Sequence, residues 1–237
     1  MAAPWPARDS APALSVIIPA LDEAATIGAT LEPLQDWRRR GTEILVVDGG
    51  SLDATPTLAE PLADRVLAGP RGRARQMNAG AAEARSDNLL FLHADTRLPA
   101  DADGAVLTAL CNGSHWGRFD VRLDGAGRHP LLGLVGALMN ARSRLSGIAT
   151  GDQALFVTRE AFEAAGGFPD QPLMEDIAIS TALKRRAGHP ACLRQKALTA
   201  SRRWEEHGIL RTIALMWALR LAYFLGVSPR QLARWYR

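Results

Sequence analysis

The feature that most constrains the fold is a regular alternation in the first half of the chain between short apolar runs and longer polar segments. The apolar runs are LSVIIPA, EILVVDGG, DRVLAG and NLLFLHAD. The segments between them suit helices, and the first, from about Glu23 to Arg40, should be split by Pro33 and end at Gly41. Asp53 is the expected N-cap of the helix that follows the second run. Continuous apolar strands that alternate with helices predict an α/β fold with a parallel sheet covered by helices.

Polar residues follow three of the four predicted strands. Residues 19–23 come after the first strand, residues 48–51 after the second and residues 93–95 after the fourth. Ligands of open α/β sheets bind beyond the carboxyl ends of the strands, so the topology alone predicts a binding site at this edge. Neither a P-loop nor a GxGxxG motif follows the first strand, which argues against a P-loop or dinucleotide site.

Taken singly, these polar residues also have plain structural interpretations. Asp48 and the glycines after it can form nothing more than a turn. Arg71, Arg73 and Arg75 stand near a helix start, where they suit a phosphate and a solvated basic surface equally well. His93 and Asp95 point to the same side of an extended chain, where they either hold a ligand or cap a strand end in water.

Taken in order, the motifs resemble those of glycosyltransferase family 2, which has the GT-A fold. The stretch SVIIPALDEAATI is similar to the family's P-x-x-N-E opening, with Asp22 in place of Asn. VVDGGSLDAT resembles V-D-D-G-S-x-D-x-T, with Gly49 in place of the second acid. GRARQMNAG resembles G-K-A-x-A-L-N-x-G and puts Arg73 where a nucleotide-contacting lysine usually stands. The likeness runs to RRW, and the whole chain is most similar to a small bacterial subgroup associated with arsenosugar biosynthesis.

The resemblance implies a GT-A domain over residues 14–205, with a mostly parallel sheet flanked by helices. Residues 14–100 would form the nucleotide-sugar half and residues 101–205 the acceptor half. The implied reaction moves a hexose, with inversion, from a nucleoside-diphosphate sugar to a small or lipid-linked hydroxyl acceptor. The donor-binding residues that the resemblance implies are Pro19, Glu23, Asp48, Arg73, Asn78 and Asp95.

The resemblance also implies a divalent metal ion. The family carries a D-x-D element at the end of the fourth strand, and here the element is His93-Ala94-Asp95. Asp95 matches the acid that binds the ion, and His93 replaces the first acid as a second candidate ligand. Mg²⁺ prefers oxygen ligands, whereas Mn²⁺ accepts imidazole more readily, so the expected cofactor is Mn²⁺ or Mg²⁺.

On the acceptor side, the reaction needs a base that takes a proton from the attacking hydroxyl. MEDIAIS offers Glu175 and Asp176. Acids at a helix N-terminus are also favoured by the helix dipole alone. The resemblance implies that Asp176 is the base and that Glu175 supports it.

Two further acceptor-side motifs are implied by the resemblance. Gly151, Asp152 and Gln153 are similar to an element that lines the acceptor pocket. Arg203 and Trp204 match the end of the Q-x-x-R-W motif of processive sugar polymerases, but Ala200 replaces its glutamine. Trp204 can stack on a sugar or pack in the core.

The last part of the chain, residues 206–237, is expected to form a helical tail. Residues 184–237 hold 12 basic and 2 acidic residues, against 16 and 23 in residues 1–183. Arg211 and Arg220 interrupt the apolar stretch 209–227, and a central arginine costs about 2.5–3.5 kcal/mol in a membrane-spanning helix. We therefore expect the tail to pack on the domain, on a second subunit of a homodimer, or on an anionic bilayer. We expect no nucleic-acid partner.

Cysteine usage and the first residues bear on the compartment. Two cysteines without metal-binding spacing suit the cytoplasm, with association at the membrane left open by the tail. Residues 1–13 are expected to form a flexible leader, since they lack the apolar centre of a signal peptide.

Two other functions stay open. One is a sugar-nucleotide pyrophosphorylase, although its glycine-rich signature does not follow the first strand. The other is a catalytically idle nucleotide- or lipid-binding protein, which the replacements at Gly49 and His93 allow.

Overall fold

The computed structural model describes residues 11–127 and 129–236, with the side chain of Arg203 excepted. Residues 1–10 of the expected leader lie outside the described residues. The sheet of the described chain has eight strands in the order β3-β2-β1-β4-β7-β6-β8-β5. The strands are β1 (Ser15–Ala20), β2 (Glu43–Asp48), β3 (Arg65–Ala68), β4 (Asn88–Phe91), β5 (Thr96–Arg97), β6 (Trp116–Leu123), β7 (Leu155–Thr158) and β8 (Ala191–Thr199).

The first four strands form the parallel part of the sheet. β1 pairs with β2 and β4, and β2 pairs with β3, all in parallel. β7 is antiparallel to β4 and β6, whereas β8 runs parallel to β6 and antiparallel to β5. The expected sheet, mostly parallel and flanked by helices, is confirmed. Among the described residues four of the seven strand pairings are parallel, and each of the three antiparallel pairings involves β5 or β7.

Eleven α-helices surround the sheet within the described ranges. They are α1 (Ile27–Leu31), α2 (Gln35–Arg39), α3 (Thr55–Ala59), α4 (Arg73–Glu83), α5 (Ala102–Cys111), α6 (Pro130–Ser146), α7 (Arg159–Ala165), α8 (Glu175–Ala187), α9 (Arg202–His207), α10 (Ile209–Phe224) and α11 (Pro229–Tyr236). A 3-10 turn at Glu32–Leu34 separates α1 from α2, so the split at Pro33 is confirmed. The expected N-cap at Asp53 is wrong by one residue. Ala54 is the N-cap, and the Asp53 carboxylate accepts the N–H of Thr55, the first residue of α3, as well as that of Ala24.

Both faces of β1, β2 and β4 are buried, which explains their continuous apolar sequences, whereas the edge strand β3 is partly exposed. Successive side chains of a strand point to opposite faces. Val16 and Ile18 of β1 therefore join the core that lies against α1, α2 and α5, whereas Ile17 joins the core against α4, α7 and α8. Helix layers on both faces leave the strand ends as the place where polar residues meet.

Helix α4 packs very closely on the sheet. A Cβ atom at Gly80 would lie 2.4 Å from Ile17 Cγ2, so only glycine allows this approach. Because α4 crosses back over parallel strands, its first residue, Arg73, lies at their carboxyl ends. The close packing of α4 thus fixes Arg73 at the predicted ligand edge.

The tail helices pack on the domain. Leu219 of α10 and Leu232 of α11 are buried with Met174, which directly precedes α8. Their outer surface remains open, with Trp217 68% and Phe224 88% exposed. No helix in the described part of the chain is long and apolar enough to cross a membrane.

Candidate active site

The loops that follow β1 and β2 are joined by a set of hydrogen bonds. The N–H of Asp22 donates to Ser51 Oγ over 2.9 Å, and the N–H of Leu52 donates back to Asp22 Oδ1 over 2.8 Å. The N–H of Glu23 donates to Thr55 Oγ1 over 2.8 Å. The motif residues Asp22, Ser51 and Thr55 therefore hold the two loops together at the ligand edge of the sheet.

Asp48 forms the turn that its sequence also allowed. Its carboxylate accepts the N–H groups of Gly50 and Ser51 and the Ser51 hydroxyl. The side chain remains half-buried at the edge of the sheet, where a carboxylate can accept further hydrogen bonds. Pro19 is buried within β1 and contributes to the shape of this edge through its backbone.

Gln76 is a residue of this edge that the sequence analysis missed. Its Nε2 donates to the carbonyls of Ala20 and Val47, over 2.7 and 2.8 Å, and so joins the ends of β1 and β2. Its amide covers Gly49, where a Cβ atom would lie 2.9 Å from Nε2. Two departures from the family motifs could have indicated this contact. Gly49 stands where the motif has an acid, and Gln76 stands where the motif has a small residue.

Two residues predicted to bind the donor already have protein partners. Asn78 Nδ2 donates to the carbonyl of Phe168 over 2.7 Å, and Asn78 Oδ1 accepts the N–H of Phe168 over 2.9 Å. Glu23 Oε2 accepts the Thr26 hydroxyl over 2.7 Å and lies 3.7 Å from Arg202 Nη2. The amide of Asn78 thus holds the segment before α8, and donor contact at either residue stays a prediction.

Asp176 lies in the first turn of α8 and faces the segment 151–153. Its Oδ2 accepts the N–H of Gly151 over 3.0 Å, and its Oδ1 accepts the N–H of Ile177 over 2.8 Å. Burial, followed by repulsion from Glu175, raises the pKa of Asp176 to about 6. A carboxylate that titrates this close to neutral pH is a stronger base than an ordinary aspartate and is still ionised at pH 7.

Glu175 and Arg73 lie between Asp176 and the sheet edge where the donor is predicted to bind. Arg73 Nη1 lies 3.3 Å from Glu175 Oε1, and the Glu175 side chain is only 5% exposed. Burial favours a lower pKa for Arg73, but the carboxylates of Glu175, Asp152 and Asp176 outweigh it and raise the pKa. The arginine is therefore held among three acids and retains an exposed part at the ligand edge.

His93 joins the end of β4 to the segment 151–153. Its Nδ1 lies 3.5 Å from Asp152 Oδ1. Its ring lies against Gly151, where a Cβ atom would come within 2.2 Å of Nε2. Burial acts to raise the pKa of Asp152, but the His93 hydrogen bond and the charges of His93 and Arg73 lower it overall. The imidazole is thus engaged by protein on both sides.

Asp95 is the residue best suited to hold a divalent ion. Its carboxylate is half-buried, and its hydrogen bond comes from the Thr96 hydroxyl at 3.4 Å, so most of its lone pairs are free. Residues 11–127 and 129–236 contain no group of three or more His, Cys, Asp or Glu that could hold a metal ion. Asp95 would hold such a cation through its free carboxylate oxygens, which suit a hard divalent ion.

The remaining acceptor-side residues differ in position. Gln153 is fully buried and closes a capping box with Thr150, so it contributes to the core and not to an open pocket. Trp204 is half-buried and packs with Leu123, Leu132 and Val135, which realises its core interpretation. The side chain of Arg203 lies outside the described residues. Of the segment 151–153, Gly151 contacts Asp176 and Asp152 contacts His93.

Comparison with known proteins gives one family and several related folds. Residues 15–160 match the model of the family described as glycosyl transferase family 2. The matched segment includes the donor edge and the segment 151–153, but it ends before Glu175 and Asp176. No functionally curated protein matches the sequence.

Among solved structures, the mannosyltransferase PcManGT from Pyrobaculum calidifontis, in complex with GDP-Man and Mn²⁺, has a TM-score of 0.65 and 21% identity over 99% of this chain and 72% of its own. TarS 1–349 from S. aureus gives 0.63 and 16% over 79% of this chain and 60% of its own. Glucosyl-3-phosphoglycerate synthase from Mycobacterium tuberculosis, with Mn²⁺, UDP and glucosyl-3-phosphoglycerate, gives 0.59 and 19% over 79% and 71%. These likenesses show a shared GT-A fold.

Proposed function

Because the chain belongs to glycosyltransferase family 2, we propose that it transfers a hexose from a nucleoside-diphosphate sugar to a hydroxyl acceptor, with inversion. The observation that carries the proposal is the position of Asp176. Its pKa is raised to about 6, and Arg73 and Glu175 connect it to the predicted donor edge. A base on the acceptor side and a cation on the donor side are what a direct displacement requires.

In the proposed reaction, the acceptor hydroxyl attacks the anomeric carbon from the side opposite the diphosphate. The new bond to the acceptor oxygen forms as the bond to the diphosphate oxygen breaks, and the hydroxyl proton passes to Asp176. A single displacement of this kind inverts the configuration. Arg73 attracts the negative charge of the diphosphate, and Glu175 holds Arg73 in place.

The proposed cofactor is Mn²⁺ or Mg²⁺, bound through Asp95. The complexes of PcManGT with GDP-Man and Mn²⁺ and of glucosyl-3-phosphoglycerate synthase with Mn²⁺ and UDP support a metal-dependent donor site. When bound, such an ion neutralises charge on the departing diphosphate. We assign His93 a positioning role between β4 and the segment 151–153, because its ring already contacts Asp152 and Gly151.

We also propose that the enzyme is cytoplasmic and contacts an anionic membrane through α10. Leu210, Trp217, Leu221 and Phe224 are exposed and lie seven, four and three residues apart, along one side of the helix. Residues 209–237 contain five arginines and no acid. A symmetric dimer through this surface would oppose like charges, whereas anionic lipid complements them.

Co-sedimentation with phosphatidylserine and phosphatidylcholine vesicles tests this surface. We expect binding to the anionic vesicles alone, and its loss in Trp217→Ser/Phe224→Ser. Failure to bind at low salt would refute the membrane contact and leave the glycosyl transfer intact. Membrane contact would favour a lipid-linked acceptor over a small soluble one. From the sequence resemblance alone, we also propose that the enzyme acts in arsenosugar biosynthesis.

Thermal unfolding with UDP, GDP, dTDP and ADP, each with and without Mn²⁺, tests the proposed function. A nucleotide at a hundred times its dissociation constant stabilises the fold by about 2.7 kcal/mol. We expect a Mn²⁺-dependent shift with one nucleotide that is lost in Asp95→Ala. The matched control is Asp87→Ala, since the Asp87 side chain is 96% exposed.

Two results would contradict glycosyl transfer. Formation of a nucleotide sugar from a nucleoside triphosphate and a sugar 1-phosphate would favour a pyrophosphorylase. Nucleotide binding without release of nucleoside diphosphate from any donor sugar, even with an acceptor panel, would favour an idle binding protein.

A further inference from the structure

Arg142, near the C-terminal end of α6, has buried guanidinium nitrogens without partners. Its Nε and Nη2 are inaccessible to solvent and have no hydrogen-bond partner among the described residues. An unpaired buried cation is costly, so nearly all such groups in proteins are paired with protein, water or a ligand. A missing partner at this position therefore points to a water molecule or a ligand that binds there.

Other arginines of this chain show what the same two nitrogens do when a carboxylate is available. Arg75 donates from Nε and Nη2 to the two oxygens of Asp170, over 2.7 and 2.8 Å. Arg40 donates from the same two nitrogens to Asp103. Nε and Nη2 form one edge of the guanidinium plane, and that edge suits two oxygens of a carboxylate or phosphate. In Arg142 this edge is free.

The charges around Arg142 favour an anion. Arg118 lies nearby and is completely buried, and its ion-pair partner Asp120 is shared with Arg144. Burial lowers the pKa of Arg142, Asp176 opposes this effect and Arg118 adds to it. Asp176 is near enough to act on Arg142 electrostatically, yet Arg142 forms no ion pair with any described carboxylate. Among these five side chains the three arginines, Arg118, Arg142 and Arg144, outnumber the two carboxylates, Asp120 and Asp176.

We propose that Arg142 binds an anionic group of the acceptor, a phosphate or a carboxylate, beside Asp176. This inference rests on the proposed function, since it identifies the chemical class of that reaction's acceptor. An anion held by the free edge of Arg142 fixes one end of the acceptor. The hydroxyl of the acceptor can then reach Asp176. Because Arg142 binds the acceptor, Arg73 remains available to bind the diphosphate of the donor. Uncharged acceptors lack this anchor and should be poor substrates.

Nuclear magnetic resonance of the arginine Nε–H groups tests the inference on the wild-type protein. The protein is first saturated with the nucleoside diphosphate that stabilises it, so that the donor site is filled, and is then titrated with inorganic phosphate or with acetate. We expect a saturable shift of the Arg142 Nε–H signal, and the more effective anion identifies the acceptor group. If neither anion moves that signal while the nucleotide binds, the inference is wrong and the proposed function stands.

Variants give an independent measurement by calorimetry on the same nucleotide-bound protein. Arg142→Met should weaken anion binding by about ten- to a hundredfold, as expected for the loss of a charged hydrogen bond. Arg142→Lys keeps the charge without the two-nitrogen edge and should be intermediate. Arg185→Met removes an exposed arginine of α8 and should bind like the wild type. Equal anion binding by Arg142→Met and the wild type would overturn the inference. If the wild type binds no nucleotide at all, the proposed function is wrong instead.

Discussion

The side-chain amide of Gln76 lies against Gly49, in the space where a side chain at position 49 would begin. A Cβ atom there would be 2.9 Å from Gln76 Nε2 and 3.1 Å from Cδ. Two hydrogen bonds, to the carbonyls of Ala20 and Val47, fix the amide, so it cannot move aside freely. The missing acid of the family motif and the glutamine on α4 are therefore two parts of one packing arrangement.

Gly49→Asp should destabilise the fold by about 1–3 kcal/mol, because the new side chain collides with the fixed amide. Gln76→Ala alone should cost a similar amount, since it leaves two carbonyls short of a donor. In the double variant the collision is gone, so its loss of unfolding free energy should be about 0.5–3 kcal/mol smaller than the sum of the two single losses. Urea unfolding of the four proteins measures this coupling. Additive effects would show that the contact is unimportant, and Gly104→Asp is the control at an unobstructed, exposed glycine.

Asp176→Asn should lower turnover by about 10²–10⁴-fold, the usual contribution of a general base. Nucleotide binding should persist, because the side chain keeps its size and its place beside Gly151. Steady-state kinetics and thermal shift on the same samples separate the two effects. Glu160→Gln, which changes an exposed acid in the first turn of α7, is the matched control. Unchanged turnover would remove Asp176 from the mechanism.

The activity should fall as the pH drops through about 6, because the pKa of the proposed base, Asp176, is raised to about 6 and a general base acts only when ionised. The same shift has the opposite effect on stability. The native state binds the proton more tightly than the unfolded chain, so this group's contribution to stability decreases as the pH rises from about 4 to about 6. Asp176→Asn should therefore unfold at a higher temperature than the wild type at pH 7. A pH–rate profile and thermal melts measure the two effects.

Glu43, the first residue of β2, makes the stability of the fold depend on pH in the direction opposite to Asp176. Its side chain is completely buried and accepts from Ser15 Oγ, from the N–H of Arg85 and from the Arg85 guanidinium. Burial acts to raise its pKa, but these hydrogen bonds and the Arg85 charge outweigh it and lower the pKa. The stability that this group adds is present above its unfolded pKa, near 4.5, and is lost as the pH falls through its lower folded value.

Glu43→Gln should destabilise the fold by about 2–4 kcal/mol at pH 7, since it leaves Arg85 without its partner, and should flatten the acid side of the stability curve. Urea unfolding between pH 3 and pH 7 measures both effects. Glu83→Gln, at a half-exposed partner of Arg65, is the control. If the stability of Glu43→Gln falls toward pH 3 as steeply as that of the wild type, other groups cause the acid unfolding.

The sequence could predict the elements whose pattern is local. The four apolar runs became β1 to β4, and the polar residues after them lie at one sheet edge. The strand β8, with its mixed and half-exposed residues, carried no such pattern, because its stability comes from pairing with β6. Element type follows from neighbours in sequence, whereas this pairing joins segments about 75 residues apart.

Residue roles were harder to predict than element positions. Asn78 matches a donor motif, yet its amide holds the backbone of Phe168, and the buried Gln153 caps a turn. A motif gives a residue type but not the partner that its polar atoms find in the fold. Arg142 gave no sequence signal, since only the packing of α6 reveals which of its nitrogens lack a partner.

The hydrogen bonds between the loops after β1 and β2 have a consequence for the speed of ligand capture. Asp22, Ser51 and Thr55 already join these loops without a nucleotide, so little chain remains to be ordered on binding. Association should then proceed in one step at a rate set by diffusion and charge, without a slow isomerisation. The amide hydrogens of Asp22, Glu23 and Leu52 should exchange slowly in the ligand-free protein. The predicted donor edge would then be a rigid template for the nucleotide.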